Sequence, residues 1–184
     1  DYLVVTDEGV LDAGLVDTLE PNLPGHVAVF ESVEPNPRRR TVTAVETAAK
    51  AVDAVVALGG GSVMDATKAA TALPAFEEPT GEGETAGDEM ADNETAVDQP
   101  ADDATADEGP AAPESAFERL LEWPVDRPAP SPEDAIPLIL IPTTAGTGSE
   151  TGHWAVISDH EREEKLSVGH PTVGGELVVL DPRL

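Results

Sequence analysis

Cysteine is absent from the sequence, and so are long apolar runs. Without cysteine the chain has no disulfide bond, no thiolate nucleophile and no cysteine-ligated metal. No apolar run approaches the length of a membrane-spanning helix, and no signal-peptide pattern opens the sequence. We therefore expect a cytoplasmic protein without a membrane partner.

Basic residues are scarce as well. The 184 residues include 10 Lys and Arg against 37 Asp and Glu, which gives a net charge of −27. Such a charge repels the phosphates of nucleic acid and of anionic lipids, so nucleic acid is not an expected partner. Acidic residues occur along the whole chain, which favours a salt-adapted, halophilic protein over a mesophilic one that carries a single acidic segment.

Apolar strands alternate with amphipathic helices in the first part of the chain. Three short apolar runs within residues 2–58 are typical of strands, and the spacing of Val and Leu over residues 10–19 predicts one helix between the first two. This order indicates a parallel sheet with right-handed crossovers, which binds ligands at the carboxyl ends of its strands. Asp7, residues 35–37 and residues 59–62 follow strands and should share that edge.

A glycine-rich segment, GGGSVMDATK at residues 59–68, joins the third strand to a helix. Glycines let a ligand approach backbone N–H groups, and a helix start carries partial positive charge, so a phosphate group is the expected ligand. Ser62 is the expected N-cap. The alternative is a flexible turn without a ligand, since the segment has neither the Gly-Lys-Ser/Thr ending of a P-loop nor the glycine spacing of the Rossmann fingerprint.

A second loop, PTTAGTGSE at residues 142–150, follows another apolar strand. After it, residues 155–158 and 165–168 alternate like the strands of a hairpin, and residues 177–180 resemble one further strand. Together, the patterns GGGSxxDxxK and PTTxGTxSE resemble those of iron-containing (group III) alcohol dehydrogenases, which are related to dehydroquinate synthase. The resemblance implies an α/β fold, the Rossmann-like parallel sheet of that family's N-terminal domain, with a β-hairpin near the C-terminus and with the family's all-helical second domain missing from this chain.

The resemblance implies one dinucleotide-binding domain over residues 1–184, interrupted by an acidic, low-complexity insertion at residues 75–132. Residues 77–108 contain thirteen acidic residues and no Lys, Arg or His. With so few apolar side chains, this stretch is expected to be disordered or loosely ordered. It is either a solvated, salt-adapted insertion or an interaction segment. Residues 117–123 should form a short helix that packs back on the domain.

The resemblance also implies an NAD site, with NADP the less expected cofactor. Asp7 would accept hydrogen bonds from the adenosine ribose hydroxyls, although a helix-starting acid is an alternative role. Asn36 would lie near the adenosine side, and Thr143 and Thr144 have an alternative role as turn hydroxyls. The other implied contacts are Gly60, Gly61, Ser62 and Asp65 at the pyrophosphate, Thr143, Thr144 and Thr147 near the adenine and phosphate, and Val156 and Lys165 at the nicotinamide half.

Two positions depart from the family pattern. Gly152 takes the place of a threonine, which removes the hydroxyl of one implied cofactor contact. Trp154 stands where the family directs a side chain towards the nicotinamide and the substrate. Its ring either narrows that pocket or packs under the hairpin.

The family holds its metal with one Asp and three His of the helical domain. Fe²⁺ or another divalent metal is therefore expected only together with that domain. His153, His160 and His170 are not expected to replace those ligands, because their spacing suits neither one helix face nor a zinc ligand set. No catalytic or metal-binding residue is assigned within the chain.

These expectations describe an NAD-dependent, divalent-metal-dependent alcohol dehydrogenase, a homo-oligomer in its full-length form, of which the chain is the N-terminal cofactor-binding part. Its metal would polarise the oxygen of a small alcohol or aldehyde during hydride transfer. The isolated chain is expected to be inactive. Two alternatives stay open: a non-catalytic nucleotide-binding fragment, and a glycerol dehydrogenase, glycerol-phosphate dehydrogenase or dehydroquinate synthase of the same superfamily.

Overall fold

The computed structural model describes residues 1–77, 115–123, 128, 130–160 and 162–184. Most of the predicted acidic insertion lies outside the described residues, so its disorder stays a prediction. The strands of the described part are β1 (Tyr2–Val5), β2 (Val27–Phe30), β3 (Ala54–Gly59), β4 (Leu138–Pro142), β5 (Trp154–Asp159), β6 (Glu164–Gly169) and β7 (Leu177–Val178). Its α-helices are α1 (Glu8–Asp12), α2 (Leu15–Leu19), α3 (Arg39–Ala49), α4 (Gly61–Ala72) and α5 (Ala116–Leu121).

Five strands form the predicted parallel sheet, in the order β2-β1-β3-β4-β7. The chain first crosses from β1 to β2 on one side and then returns to place β3 on the other side of β1. Connections therefore leave β1 and β3 in opposite directions. In open α/β sheets the crevice for a ligand lies at such a switch point, outside the carboxyl ends of the two strands.

The core lies on both faces of this sheet. Along β1, Leu3 and Val5 pack in one apolar cluster with α3 and α4, while Val4 packs in the other cluster with α1 and α2. Val55 and Leu58 of β3 are fully buried, as expected for a central parallel strand that is covered on both faces. The covered faces make the strand ends a rigid frame for the loops that follow them.

Two local predictions are wrong, and glycine is the reason in both. The helix predicted over residues 10–19 is split into α1 and α2, because Gly14 adopts a left-handed conformation with φ 73°. Ser62 is not the N-cap of α4, because Gly60 occupies the cap and the helix already begins at Gly61. The Ser62 hydroxyl is thereby placed in the first turn of α4, where it accepts a hydrogen bond from the backbone N–H of Asn36 at 3.3 Å.

The predicted hairpin is confirmed as the antiparallel pair of β5 and β6. Ala155, Ile157 and Val168 point into the core and are buried. The opposite face is open, and Trp154 lies on it with 62% of its surface exposed. Its ring covers Gly169, where an added Cβ would lie 2.3 Å from the indole. Trp154 therefore packs on the outer face of the hairpin and not under it.

The helix predicted for residues 117–123, within the bounds of the insertion, also packs back on the domain. Phe117 of α5 is buried in the core, and the Arg39 guanidinium of α3 lies 4.9 Å from the centroid of its ring. Beyond α5, the Trp123 ring meets Phe76 edge to face at 5.1 Å between centroids. Within the described residues, no helix is both long enough and apolar enough to cross a membrane.

Candidate functional site

A cleft of about 690 Å³ opens at the carboxyl ends of β1 and β3, at the switch point of the sheet. Its walls come from four segments: residues 7–10 after β1, residues 31–35 after β2, residues 60–62 after β3 and residues 143–144 after β4. Parallel register brings these four loops to one edge. The cleft lies where the order of strands and helices in the sequence predicts a ligand site.

The glycine loop (residues 59–62) and the threonine loop (residues 142–150) touch each other at the cleft. A Cβ built on Gly60 would lie 3.2 Å from the Thr144 hydroxyl oxygen, and one built on Gly61 would lie 2.9 Å from the Thr147 methyl. The Thr143 amide also donates to the Gly59 carbonyl at 2.9 Å. The close approach of the threonine side chains therefore leaves no room for a Cβ at residue 61 and little room for one at residue 60.

The start of α4 supplies the positive end of the cleft. The first hydrogen bond of this twelve-residue helix runs from the Met64 amide to the Gly60 carbonyl at 3.0 Å. The N–H groups of the preceding residues have no carbonyl partner within the helix. Together with the helix dipole, and beside the threonine hydroxyls, these N–H groups form a site whose chemistry suits a phosphate group.

Asp7 lies at the end of β1, on the wall of the cleft. It is the N-cap of α1, and its Oδ1 accepts a hydrogen bond from the Val10 amide at 3.0 Å. Asp7 is thus the helix-starting acid that the sequence offered as one alternative. A carboxylate can accept several hydrogen bonds, so this cap leaves acceptor capacity for a ligand hydroxyl.

Sequence reasoning missed three further acids that line the cleft: Glu8, Glu31 and Glu34. The Glu34 Oε2 accepts a hydrogen bond from the Thr41 hydroxyl at 2.7 Å. Burial alone would raise the pKa of Glu34, but this bond, backbone hydrogen bonds and the charge of Arg40 hold that pKa below its ordinary value. A signal for these residues was present, because residues 31–34 follow the β2 strand directly.

Asn36 and Lys165 lie at the same end of the site. The Lys165 ammonium donates to the Asn36 Oδ1 at 3.1 Å, and the Asn36 amide donates to the Ser62 hydroxyl at 3.3 Å. Asn36 adopts a left-handed conformation with φ 56°, which asparagine tolerates better than most residues. The resemblance assigns these two side chains to opposite halves of the dinucleotide, and in the structure they are in direct contact.

Asp65 points towards the hairpin. Its Oδ2 accepts a hydrogen bond from the Val156 amide at 3.0 Å, and its Oδ1 lies 3.3 Å from the Lys68 ammonium. Asp65 therefore connects α4 to β5. Six of the predicted cofactor residues line the cleft itself, namely Asp7, Gly60, Gly61, Ser62, Thr143 and Thr144. The other five do not line it: Asn36, Asp65, Thr147, Val156 and Lys165.

A second hollow of about 360 Å³ lies on the other side of the threonine loop. Residues 142–145, residues 180–182 and Leu184 form its walls, together with Glu150. Thr143 and Thr144 line both spaces, so the threonine loop separates them.

The described residues do not fit an iron site. They contain no group of three or more His, Asp or Glu side chains that could hold a metal ion. His170 is buried against Phe76, and its Nδ1 contacts the Thr172 hydroxyl. The His153 ring packs beside Gly174, where an added Cβ would lie 2.6 Å from Nδ1.

A parallel sheet of this strand order, with a glycine loop and a helix start at its switch point, defines a Rossmann-like α/β domain. The family model described as iron-containing alcohol dehydrogenase matches residues 1–97 and 111–182. The chain belongs to the iron-containing alcohol dehydrogenase family, which is a family of oxidoreductases.

Named relatives agree with this assignment. The chain is 35% identical over 187 residues to a choline dehydrogenase of Bacillus subtilis, covering 99% of this chain and 37% of that protein. It is 30% identical over 152 residues to a probable NADH-dependent butanol dehydrogenase 1 of the same species, covering 82% and 28%. The chain thus spans little more than a third of the length of the choline dehydrogenase.

The fold is shared with solved structures. The sulfoacetaldehyde reductase of Bifidobacterium kashiwanohense, crystallised with NAD⁺, superimposes with a TM-score of 0.65 at 24% sequence identity. The match covers 100% of this chain and 39% of that one. This likeness supports the Rossmann-like fold and the hairpin near the C-terminus.

Proposed function

We propose that this chain is the cofactor-binding part of an NAD-dependent, divalent-metal-dependent alcohol dehydrogenase. The observation that carries the proposal is the cleft at the β1/β3 switch point, where the start of α4, the threonine hydroxyls and the Asp7 carboxylate converge. The family assignment and the relative named as NADH-dependent support the same cofactor. The metal ligands belong to parts of the protein that the described residues do not include.

The donor and acceptor groups of the cleft match the parts of NAD. The N–H groups at the start of α4 and the hydroxyls of Thr144 and Thr147 bind the pyrophosphate. Asp7 accepts hydrogen bonds from the adenosine ribose. Val156 and Lys165, with Asn36 beside the ammonium, lie along the nicotinamide half. NAD supplies hydride transfer at its nicotinamide ring, and the residues of this chain bind and orient it.

The substrate class is a small alcohol or the corresponding aldehyde, as the names of the relatives indicate. A second, more specific candidate is an alcohol with a quaternary ammonium group, such as choline. Trp154 favours it, because its ring is 62% exposed on the outer face of the hairpin that also carries Val156 and Lys165. An exposed indole face attracts quaternary ammonium groups through cation–π interactions.

Calorimetric titration with NAD at high salt tests the proposal. We expect the wild-type chain to bind NAD and Gly61→Ala to bind it about tenfold more weakly, because the new Cβ would displace Thr147. Thr18→Ala is the control, since Thr18 is exposed on α2 and does not line the cleft. A wild-type chain that releases no binding heat with NAD would overturn the proposed function.

A further inference from the structure

Lys68 is a buried ammonium group that the proposed cofactor contacts do not use. It lies on α4, and its side chain is 0% exposed. A buried charge is tolerated only when hydrogen bonds and an opposite charge compensate for the lost water. The Lys68 Nζ donates to the carbonyl of Ser149 at 2.8 Å and to that of Gly152 at 3.4 Å, and it also donates to the carbonyl of Trp154.

Asp65 completes the surroundings of this ammonium. It precedes Lys68 by three residues, so both side chains lie on the same face of α4. One Asp65 oxygen lies 3.3 Å from the Nζ, while the other accepts the Val156 amide. Burial lowers the pKa of Lys68, and the negative charges of Asp65 and Glu150 oppose this shift. Helix α4 is thus tied to the backbone of the hairpin at several points.

The three carbonyls that Lys68 holds belong to one short segment, residues 149–154. This segment begins just after Thr147, whose side chain packs against Gly61 at the start of α4. It ends just before Val156, the residue whose amide Asp65 holds. The Lys68 ammonium therefore holds the segment that joins the end of the threonine loop to the hairpin.

We propose that Lys68 is a positioning residue for the dinucleotide. By holding residues 149–154 against α4, it sets the distance between the site of the pyrophosphate and the hairpin that presents Val156 and Lys165. This role rests on the proposed function, and it concerns the nicotinamide half alone. Contacts to the adenosine diphosphate half come from Asp7, from residues 60–62 and from the hydroxyls of Thr144 and Thr147. The Lys68 ammonium donates instead to carbonyls of residues 149–154.

The test compares the affinities of the wild-type chain and of Lys68→Met for NAD and for ADP, by calorimetry. Methionine keeps most of the buried volume but donates no hydrogen bond. We expect Lys68→Met to bind NAD about tenfold more weakly while its affinity for ADP stays within about twofold of the wild type. Lys68→Arg, which restores a donor, should recover part of the NAD affinity. Lys50→Met is the matched control, because Lys50 lies on the surface and pairs with Glu46 and Glu77.

The outcomes separate this proposal from the proposed function. Equal losses of affinity for NAD and ADP in Lys68→Met would overturn the positioning role, and so would unchanged affinity for both. Where Lys68→Met does not fold, Lys68→Gln is measured in the same way. Failure of both variants to fold would also overturn the proposal, since Lys68 would then serve the core alone. A wild-type chain that binds neither ligand would overturn the proposed function itself.

Discussion

Asp7 follows β1 and caps α1 through its Oδ1, and it also lines the cleft. The two roles are compatible because the Val10 amide uses a single acceptor site of the carboxylate. The charge of Asp7 bears on the choice of cofactor. A carboxylate that accepts hydrogen bonds from a ribose diol would face the extra phosphate of NADP with a like charge.

The first prediction is that the chain prefers NAD to NADP and that Asp7→Ser relaxes the preference. Two unit like charges about 4 Å apart at an effective dielectric constant near 20 repel by about 4 kcal/mol. If screening by water and salt leaves a quarter of that energy, the chain prefers NAD to NADP about fivefold. Serine keeps the helix cap but removes the charge. Titration of both variants with both cofactors measures the change in the ratio of affinities.

Asp12→Ser is the control for that experiment, because Asp12 is an exposed acid of the same helix that does not line the cleft. It should leave the ratio unchanged. Equal affinities of the wild type for NAD and NADP, unaltered by Asp7→Ser, would mean that Asp7 serves only as a cap.

The second prediction concerns His170, which is buried between Phe76 and Trp123. Burial lowers the pKa of His170 below its ordinary value of 6.5. The unfolded chain therefore binds a proton in a pH range where the folded chain does not. This contribution to stability is complete above pH 6.5 and is lost as the pH falls through 6.5 towards the lower pKa of the folded state.

Chemical unfolding at several pH values measures this effect. Between pH 7.5 and 5.5 the free energy of unfolding should fall less steeply in His170→Asn than in the wild type, by at most about 1.4 kcal/mol per pH unit. His160→Asn, at an exposed position, should keep the slope of the wild type. A wild-type slope in His170→Asn would show that this histidine does not titrate on unfolding.

At the scale of the elements, helix α5 depends on its packing against α3. A helix of six residues is unstable in isolation. The Arg39 guanidinium donates to Glu118 at 3.2 Å and to the Ser115 hydroxyl at 2.9 Å, above the ring of Phe117. These contacts attach α5, which lies within the bounds of the predicted insertion, to the domain, and the Phe76–Trp123 pair completes the attachment.

The third prediction is that Arg39→Ala detaches α5. The charged hydrogen bonds and the contact with the ring are lost together, so we expect the free energy of unfolding to fall by about 2 kcal/mol. Trp123 should become more exposed, which shifts the tryptophan emission to longer wavelength. Arg40→Ala is the control for the emission, because Arg40 is the next residue of α3 and is exposed. Unchanged emission in Arg39→Ala would show that other contacts are enough to hold α5 on the domain.

The strands and the hairpin could be predicted because their apolar periodicity is a local property of the chain. The residues of the cleft were predictable only in part. Gly60 and Thr143 follow strands with recognisable motifs, whereas Glu31 and Glu34 belong to no motif and enter the cleft only because β2 pairs with β1 in parallel register. The contact between Asn36 and Lys165 was not predictable either, because it depends on how the hairpin packs against α4.

At the scale of the whole molecule, charge is the dominant feature. The net charge is −27, and four of the cleft's own side chains are acidic: Asp7, Glu8, Glu31 and Glu34. NAD is itself an anion, so these side chains oppose its approach except where the Asp7 carboxylate meets a hydroxyl. Screening by salt should therefore help both folding and cofactor binding. An adaptation to high salt, which the acidic composition favours, would act through this screening.

The last prediction is that KCl stabilises the chain and strengthens NAD binding. Residues 78–108 should account for part of the stabilisation and for none of the change in NAD affinity. These residues carry 12 acids and no basic group, so their deletion changes the net charge from −27 to −27 + 12 = −15. The Debye length falls from about 10 Å at 0.1 M salt to about 3 Å at 1 M, and most of the gain should appear within that range. Unfolding at increasing KCl should give a shallower rise for the shortened chain, whereas calorimetry should give the same NAD affinity for both chains. Sucrose is the control, because it stabilises folded proteins by exclusion from their surface without screening charge. Equal stabilisation by sucrose and KCl would contradict the role of charge screening. Loss of NAD binding on deletion would contradict the expectation that residues 78–108 lie outside the NAD site.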